Sequence, residues 1–209
     1  MRSRTKAFAY FALLASAVAV KAQETKPVVF PLHLEIKANA VVKDRELGAG
    51  DDGAAVLQDI VVKVKIRKTS SSPYTEPLNA ELYVVGRRVR NDVVYGILDI
   101  VKKKGFTLTP EDNYVYEFES DHYVIGHTTG KIEVGGEYEA YVVIVTDKDG
   151  KIVGTKSSRK LTSKEIDALR KFRKGIVFDK DGNIVGNMEQ AKENFKAAVP
   201  VALQDDDDD

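Results

Sequence analysis

Residues 60–67 read Ile-Val-Val-Lys-Val-Lys-Ile-Arg. Ile60, Val62, Val64 and Ile66 fall on one side of an extended chain, and Val61, Lys63, Lys65 and Arg67 on the other. A period of two with one charged face marks a strand that buries one side and wets the other, the pattern of an antiparallel sheet packed on a single core. Leu32, Leu34, Ile36, Ala38 and Ala40 repeat it against His33, Glu35, Lys37 and Asn39. Leu82–Val85, Val93–Val101, Tyr114–Phe118 and Tyr138–Thr146 add segments rich in Val, Ile and Tyr. Turn-forming clusters separate them at Gly48–Gly53, Ser70–Pro73, Arg87–Asp92, Thr109–Asn113 and Gly135-Gly136. Seven or more strands at this spacing predict a mainly β protein, an antiparallel sandwich of two sheets.

Past Lys156 the period changes. Thr162 and Glu165 have the spacing of a capping box, Ile166, Leu169 and Phe172 recur at helical spacing, and Gly175 stands where a C-cap glycine would. Residues 176–186 then predict a hairpin, and Asn187 with Gln190 predicts the start of a second short helix running to Ala198. The expected organisation is a leader over 1–22, a sandwich over 23–158, a small helix–hairpin–helix appendage over 159–199 and an unfolded acidic tail over 200–209. Residues 144–154, IVTDKDGKIVG, echo residues 176–186, IVFDKDGNIVG. Two copies are too few for a solenoid, so both predict hairpins turning at Asp-Lys-Asp-Gly, with Gly150 and Gly182 supplying positive φ. Neither fits a calcium loop: with Gly182 at position 6, Val177 and Met188 occupy ligand positions 1 and 12, and with Gly150 there, Val145 and Ser157 do.

The stretch Ile132-Glu133-Val134-Gly135-Gly136-Glu137-Tyr138, followed by alternating Ala140, Val142 and Ile144, resembles the fibronectin type III corner L-x-P-G-T-x-Y that leads into that family's strand F. The resemblance covers about 30 residues; Val134 stands for the proline and Gly136 for the threonine. It implies an immunoglobulin-like fold with Tyr138 as the corner tyrosine, its hydroxyl bonded to upstream backbone, Ile132 as a buried partner and Gly135 at the bend. Such folds host mostly binding and structural roles, and exported examples associated with pili or cell surfaces are the setting the resemblance implies.

The amino terminus carries Arg2, Arg4 and Lys6, then an uncharged stretch from Ala7 to Val20, then Val20-Lys21-Ala22. These are the three parts of a secretory signal, with cleavage expected near Ala22. Fourteen residues at ~1.5 Å rise span only about 21 Å, short of a membrane core of about 30 Å. Four of the 32 basic residues and none of the 32 acidic ones lie in this leader, so the mature chain carries a formal charge of −4. Asp205–Asp209 carry five negative charges, so the body without them is near +1. A near-neutral body lacks the basic footprint of a nucleic-acid binder. With no cysteine, an exported chain must be held by packing alone.

Candidate chemistry is sparse. Arg87, Arg88 and Arg90 at one end of the predicted hairpin 82–101, and Lys102, Lys103 and Lys104 past the other, suggest two small anion-binding patches about 25 Å apart. His122 and His127, with Glu119 and Asp121, suggest a metal cluster only if a turn at Gly126 gathers them. Tyr114, Tyr116 and Tyr123 suggest a sugar platform, although Tyr114 and Tyr116 share a face with Phe118, as core residues do. Ser70, Ser71 and Ser72 lack the glycine-flanked elbow of a serine hydrolase. The sequence therefore predicts a non-enzymatic exported surface or pilus-associated interaction protein. It would recognise a protein or glycan at the cell envelope through a sheet face or edge, with no cofactor, metal or membrane span. A monomer is the starting expectation. The alternatives are a carbohydrate-binding module using Tyr116, and a small metal-dependent envelope hydrolase using His122, His127 and Asp121.

Overall fold

The computed structural model describes residues 32–46, 54–69, 76–89, 94–128 and 135–187. The expected leader, Ser70–Ser72, Arg90, Ile132, the residues expected to form a second helix beyond Asn187 and the aspartate tail lie outside them. The elements run β1 (Leu32–Glu46), β2 (Ala54–Lys68), β3 (Leu78–Arg88), β4 (Val94–Phe106), β5 (Val115–Glu119), β6 (Tyr123–Thr128), β7 (Gly136–Thr146), β8 (Ile152–Ser157), α1 (Ser163–Leu169), β9 (Ile176–Asp179) and β10 (Ile184–Asn187). Among the described residues no helix is long and apolar enough to cross a membrane.

Two antiparallel sheets result. In the first, β1 pairs with β2 without a bulge, from Leu32 opposite Lys68 to Glu46 opposite Ala54. The far side of β2 takes β6 along residues 55–60 and β5 along residues 63–67. The second sheet has the order β10-β9-β4-β3-β7-β8. The alternation of residues 60–67 is realised: Ile60, Val62, Val64 and Ile66 are fully or almost fully buried. They meet Leu78, Ala80, Leu82, Val84, Val143 and Val145 from the second sheet in one core. Burying a side chain of this size contributes roughly 1.5–3 kcal/mol, so this face alone fixes the register of β2 against slippage.

The six-stranded sheet has a second buried face. Tyr83, Val85, Ile97, Ala140 and Val142 point away from the sandwich and are covered by Leu169, Phe172 and Ile176. Residues 159–187 therefore do not stand apart. Helix α1 lies on the sheet, and β9 extends it by pairing with β4 from Val94 opposite Asp179 to Gly96 opposite Val177. The capping box forms as expected, Thr162 accepting the Glu165 N–H while the Glu165 carboxylate accepts the Thr162 N–H. The helix is shorter than its periodicity suggested. It ends at Leu169 with Arg170 as C-cap, and Gly175 (φ +85°) instead shapes the turn into β9, where its N–H donates to Ile97 O at 2.9 Å. Asn187, expected to open a second helix, ends strand β10.

Both Asp-Lys-Asp-Gly segments turn hairpins, β7–β8 and β9–β10, by the same device. Asp147 Oδ1 accepts the N–H of Asp149 and Lys151, and Asp179 Oδ1 accepts the N–H of Asp181 and Asn183. Gly150 and Gly182 take φ values of +81° and +83°. These carboxylates serve as turn acceptors, which explains the motif without calcium.

Candidate functional site

Among the described residues, β1 has no strand paired on its outer side. The direction of its backbone groups follows from β2, the strand it pairs with. Where β2 exchanges β6 for β5, the Val62 carbonyl accepts the Ser120 N–H at 3.0 Å and the Val62 N–H donates to Ser120 Oγ at 3.0 Å. Val62 thus turns both backbone groups away from β1, as does the Lys68 N–H, which donates to Tyr114 O. In an antiparallel pair, residues opposite one another turn the same way relative to the ladder. Leu34, Ile36, Ala38 and Ala40, opposite Ile66, Val64, Val62 and Ile60, therefore turn their N–H and C=O groups outward, as does Val42. The Leu34 carbonyl is capped by Lys156 Nζ at 2.7 Å. From Ile36 to Val42 nothing among the described residues covers the row, and Val41 and Val42 are 55% and 53% exposed.

Of the two expected basic patches, Arg87 and Lys102 are paired with carboxylates of the same sheet. Arg87 meets Glu137 and, at 3.5 Å, Glu139; the Glu137 hydrogen bond and charge hold its guanidinium above its ordinary pKa. Arg88 is half-buried. Lys102 reaches Glu81 at 3.6 Å, which Arg170 also meets at 3.6 Å. Lys103 and Lys104 border a shallow surface with Asn79, Thr146 and Lys148.

His122 and His127 are not brought together on one ion. His122 is exposed, 3.7 Å from Asp59, while His127 lies in β6 and bridges Gly135. Among the described residues no three His, Asp or Glu side chains are grouped to hold a metal. Asp121 belongs to another cluster, which the sequence reading missed. Lys174, in the turn before β9, meets Asp99 at 3.1 Å, Asp121 at 3.5 Å and the Tyr123 hydroxyl. Asp99 is almost fully buried, and its Oδ2 also accepts the Asp121 N–H at 3.2 Å. Burial works against the ammonium, but the hydrogen bonds to Tyr123 and Asp99 outweigh it and hold Lys174 above its ordinary pKa. Burial chiefly pushes Tyr123 up to about 12. A protonated lysine and a protonated phenol make this a clamp joining the β5–β6 turn, β4 and the β9 turn.

The tyrosines form no platform. Tyr116 stacks on Phe106 at 4.1 Å within the sandwich, Tyr114 lies beneath Lys68 at 4.7 Å and Tyr123 beneath Lys174 at 4.9 Å. Tyr114 adopts φ +59°, so it falls in the turn before β5 and not in the strand. Tyr138 packs against the sandwich core and its N–H donates to Gln58 Oε1 at 2.6 Å. Its hydroxyl is buried and makes no bond to upstream backbone among the described residues, unlike the corner bond the resemblance implies, and burial pushes it up to about 12. Gly135 bridges His127 with φ +113°, and a Cβ there would sit 2.2 Å from Gly126 O.

No family model and no curated protein matches the chain. A solved structure from Akkermansia muciniphila aligns over 73% of this chain and 87% of its own, at 16% identity and a TM-score of 0.24. The Northeast Structural Genomics Consortium target SoR45 aligns over 64% of this chain and 89% of its own, at 10% identity and a TM-score of 0.27. Likeness at that level carries no argument about role.

Proposed function

We propose that this chain is an exported, non-enzymatic surface protein with an immunoglobulin-like sandwich of fibronectin type III character. On this reading it engages a protein partner at the cell envelope by strand addition. The fold half of the proposal is supported by strand order. β1-β2-β5 against β8-β7-β3-β4 corresponds to A-B-E against G-F-C-C′ in the immunoglobulin scheme, with β9 and β10 added beyond β4. Tyr138 near the start of the strand in the F position is consistent with the corner resemblance. Export rests on the leader pattern of residues 1–22.

The observation that carries the interaction reading is the uncapped run Ile36–Val42. Sheet proteins ordinarily blunt such an edge with lysine, proline or a covering loop; among the described residues Lys156 caps the row at Leu34, and Lys37 is the one lysine within the run. An incoming strand would gain main-chain hydrogen bonds along about 20 Å of edge. The test is Ala40→Pro in cells, with crosslinking of the envelope fraction. Because the Ala40 N–H points outward, proline removes a donor from the free edge and none from the β1–β2 ladder. Loss of crosslinked species with the fold retained supports the reading. Unchanged crosslinks, or stoichiometric zinc in the purified protein that disappears with His122→Ala, would overturn it.

A further inference from the structure

We infer that the strand accepted by the β1 edge is β1 of a second copy, giving a two-fold dimer with a continuous sheet. The inference rests on the edge reading above and adds the identity of the partner. An incoming strand must place small or apolar residues toward the sandwich and polar ones outward over at least seven residues, without proline. β1 meets that description. Its inner row is Ile36, Ala38, Ala40 and Val42, and its outer row contains Lys37, Asn39 and Val41.

Register decides whether self-pairing is tolerable. A dyad at Asn39 sets Ile36 opposite the partner copy's Val42 and Ala38 opposite its Ala40. All four are outward-turned residues, so each pair exchanges two hydrogen bonds. On the outer row Lys37 falls opposite Val41 and the two Asn39 residues face each other, so no like charges meet. A dyad two residues nearer the start of the strand would bring Lys37 against Lys37. The Asn39 dyad sets the partner copy's Asp44 opposite Leu34, where Lys156 already occupies the carbonyl, so the two strands pair from Ile36 to Val42 and part beyond them. A pairing about such a dyad is self-complementary and closes at two copies, so it yields a dimer and not a fibre.

The test is sedimentation velocity of the full chain across a dilution series, together with amide hydrogen exchange. A reversible monomer–dimer equilibrium is expected. The amides of Ile36, Ala38, Ala40 and Val42 should exchange fast when dilute and become protected when concentrated, while Lys37, Asn39 and Val41 stay protected throughout. Ala40→Pro removes two of the intermolecular bonds and should weaken dimerisation about thirtyfold. Ala40→Lys, which keeps the amide but sets a charge against the apolar inner row, should weaken it too. It serves as the second variant if the proline form folds poorly. A chain that stays monomeric at every concentration, or a dimer in which the even-numbered amides remain unprotected, overturns the inference. If a monomeric chain still loses its envelope crosslinks with Ala40→Pro, only the second copy is refuted and strand addition to another protein stands. If the crosslinks survive, both fall.

Discussion

Ser120→Ala is a sensitive probe of how the first sheet is spliced. β2 is longer than either strand on its far side, so it must change partners, and the change falls at Val62, which is fully buried. Ser120 bridges that gap with its own N–H and its Oγ, the latter accepting the Val62 N–H at 3.0 Å and donating to Asp121 O at 2.9 Å. Alanine keeps the backbone bond and the space. It leaves the Val62 N–H without an acceptor, in a site 4% exposed at residue 120, where water has little access. An unsatisfied buried donor costs about 1–3 kcal/mol. The Asp121 carbonyl sits in an exposed residue and rehydrates. A net loss of about 2 kcal/mol corresponds to a fall in Tm of roughly 4–8 °C for a domain of this size. Urea unfolding followed by circular dichroism should show a lower midpoint with unchanged slope, and exposed Ser163→Ala serves as control. Equal midpoints for Ser120→Ala and wild type would refute the splice.

Gly135→Ala should prevent stable folding, since its Cβ would meet Gly126 O at 2.2 Å and His127 Cα at 2.7 Å. Gly150→Ala, with open space around it, should cost only about 1 kcal/mol from its positive φ, and thermal melts separate the two. Phe172→Ala should lower stability by about 3–5 kcal/mol, because the ring covers the second buried face. Truncation after Lys160 should give insoluble protein for the same reason; a soluble, cooperatively folding truncation would show that 161–187 is dispensable. Carboxyl titrations by NMR should place Asp179 below 3.8, held down by Asn183, and Glu165 below 4.5, held down by the Thr162 N–H and hydroxyl. Folded values below unfolded ones mean that these contributions are intact at neutral pH and vanish as pH falls through the folded values. Midpoints at the ordinary values would remove both hydrogen-bond assignments.

The strands that were legible in the sequence are those whose burial is one-sided. Residues 62–67 and 32–40 wet one face, so charge marks the period; Val61, on the same side as Lys63, is buried. β3 was harder to delimit, because the six-stranded sheet is buried on both faces around it. Leu82, Tyr83, Val84 and Val85 are all buried, and such a run carries no alternation. The Lys102–Lys104 patch lies within β4, its strand character hidden by charge: Lys102 and Lys103 pair with Glu81 and Ala80. The lysine clamp was out of reach for a different reason. Asp99, Asp121, Tyr123 and Lys174 come from three segments as much as 75 residues apart, and no local pattern encodes their meeting.

The repeated hairpin shows where local information ends. Its turn chemistry is written in eleven residues, and both copies obey it to the same carboxylate-to-amide hydrogen bonds. Its role depends on what lies beside each copy. In the order β10-β9-β4-β3-β7-β8, one hairpin flanks β4 and the other flanks β3, so the same motif closes the sheet at both sides. The β7–β8 copy pairs at length with β3, from Asn79 opposite Thr146 to Arg88 opposite Gly136, and brings Lys156 over the β1 edge. The β9–β10 copy contacts β4 through three residue pairs and leaves Ile184 and Val185 more than half exposed. The copy that guards β1 does so only at Leu34 because β8 ends at Ser157. The length of β8 therefore determines how much of β1 is left to pair: an insertion carrying β8 further along β1 should protect the even-numbered amides and silence the edge without touching a residue of β1 itself.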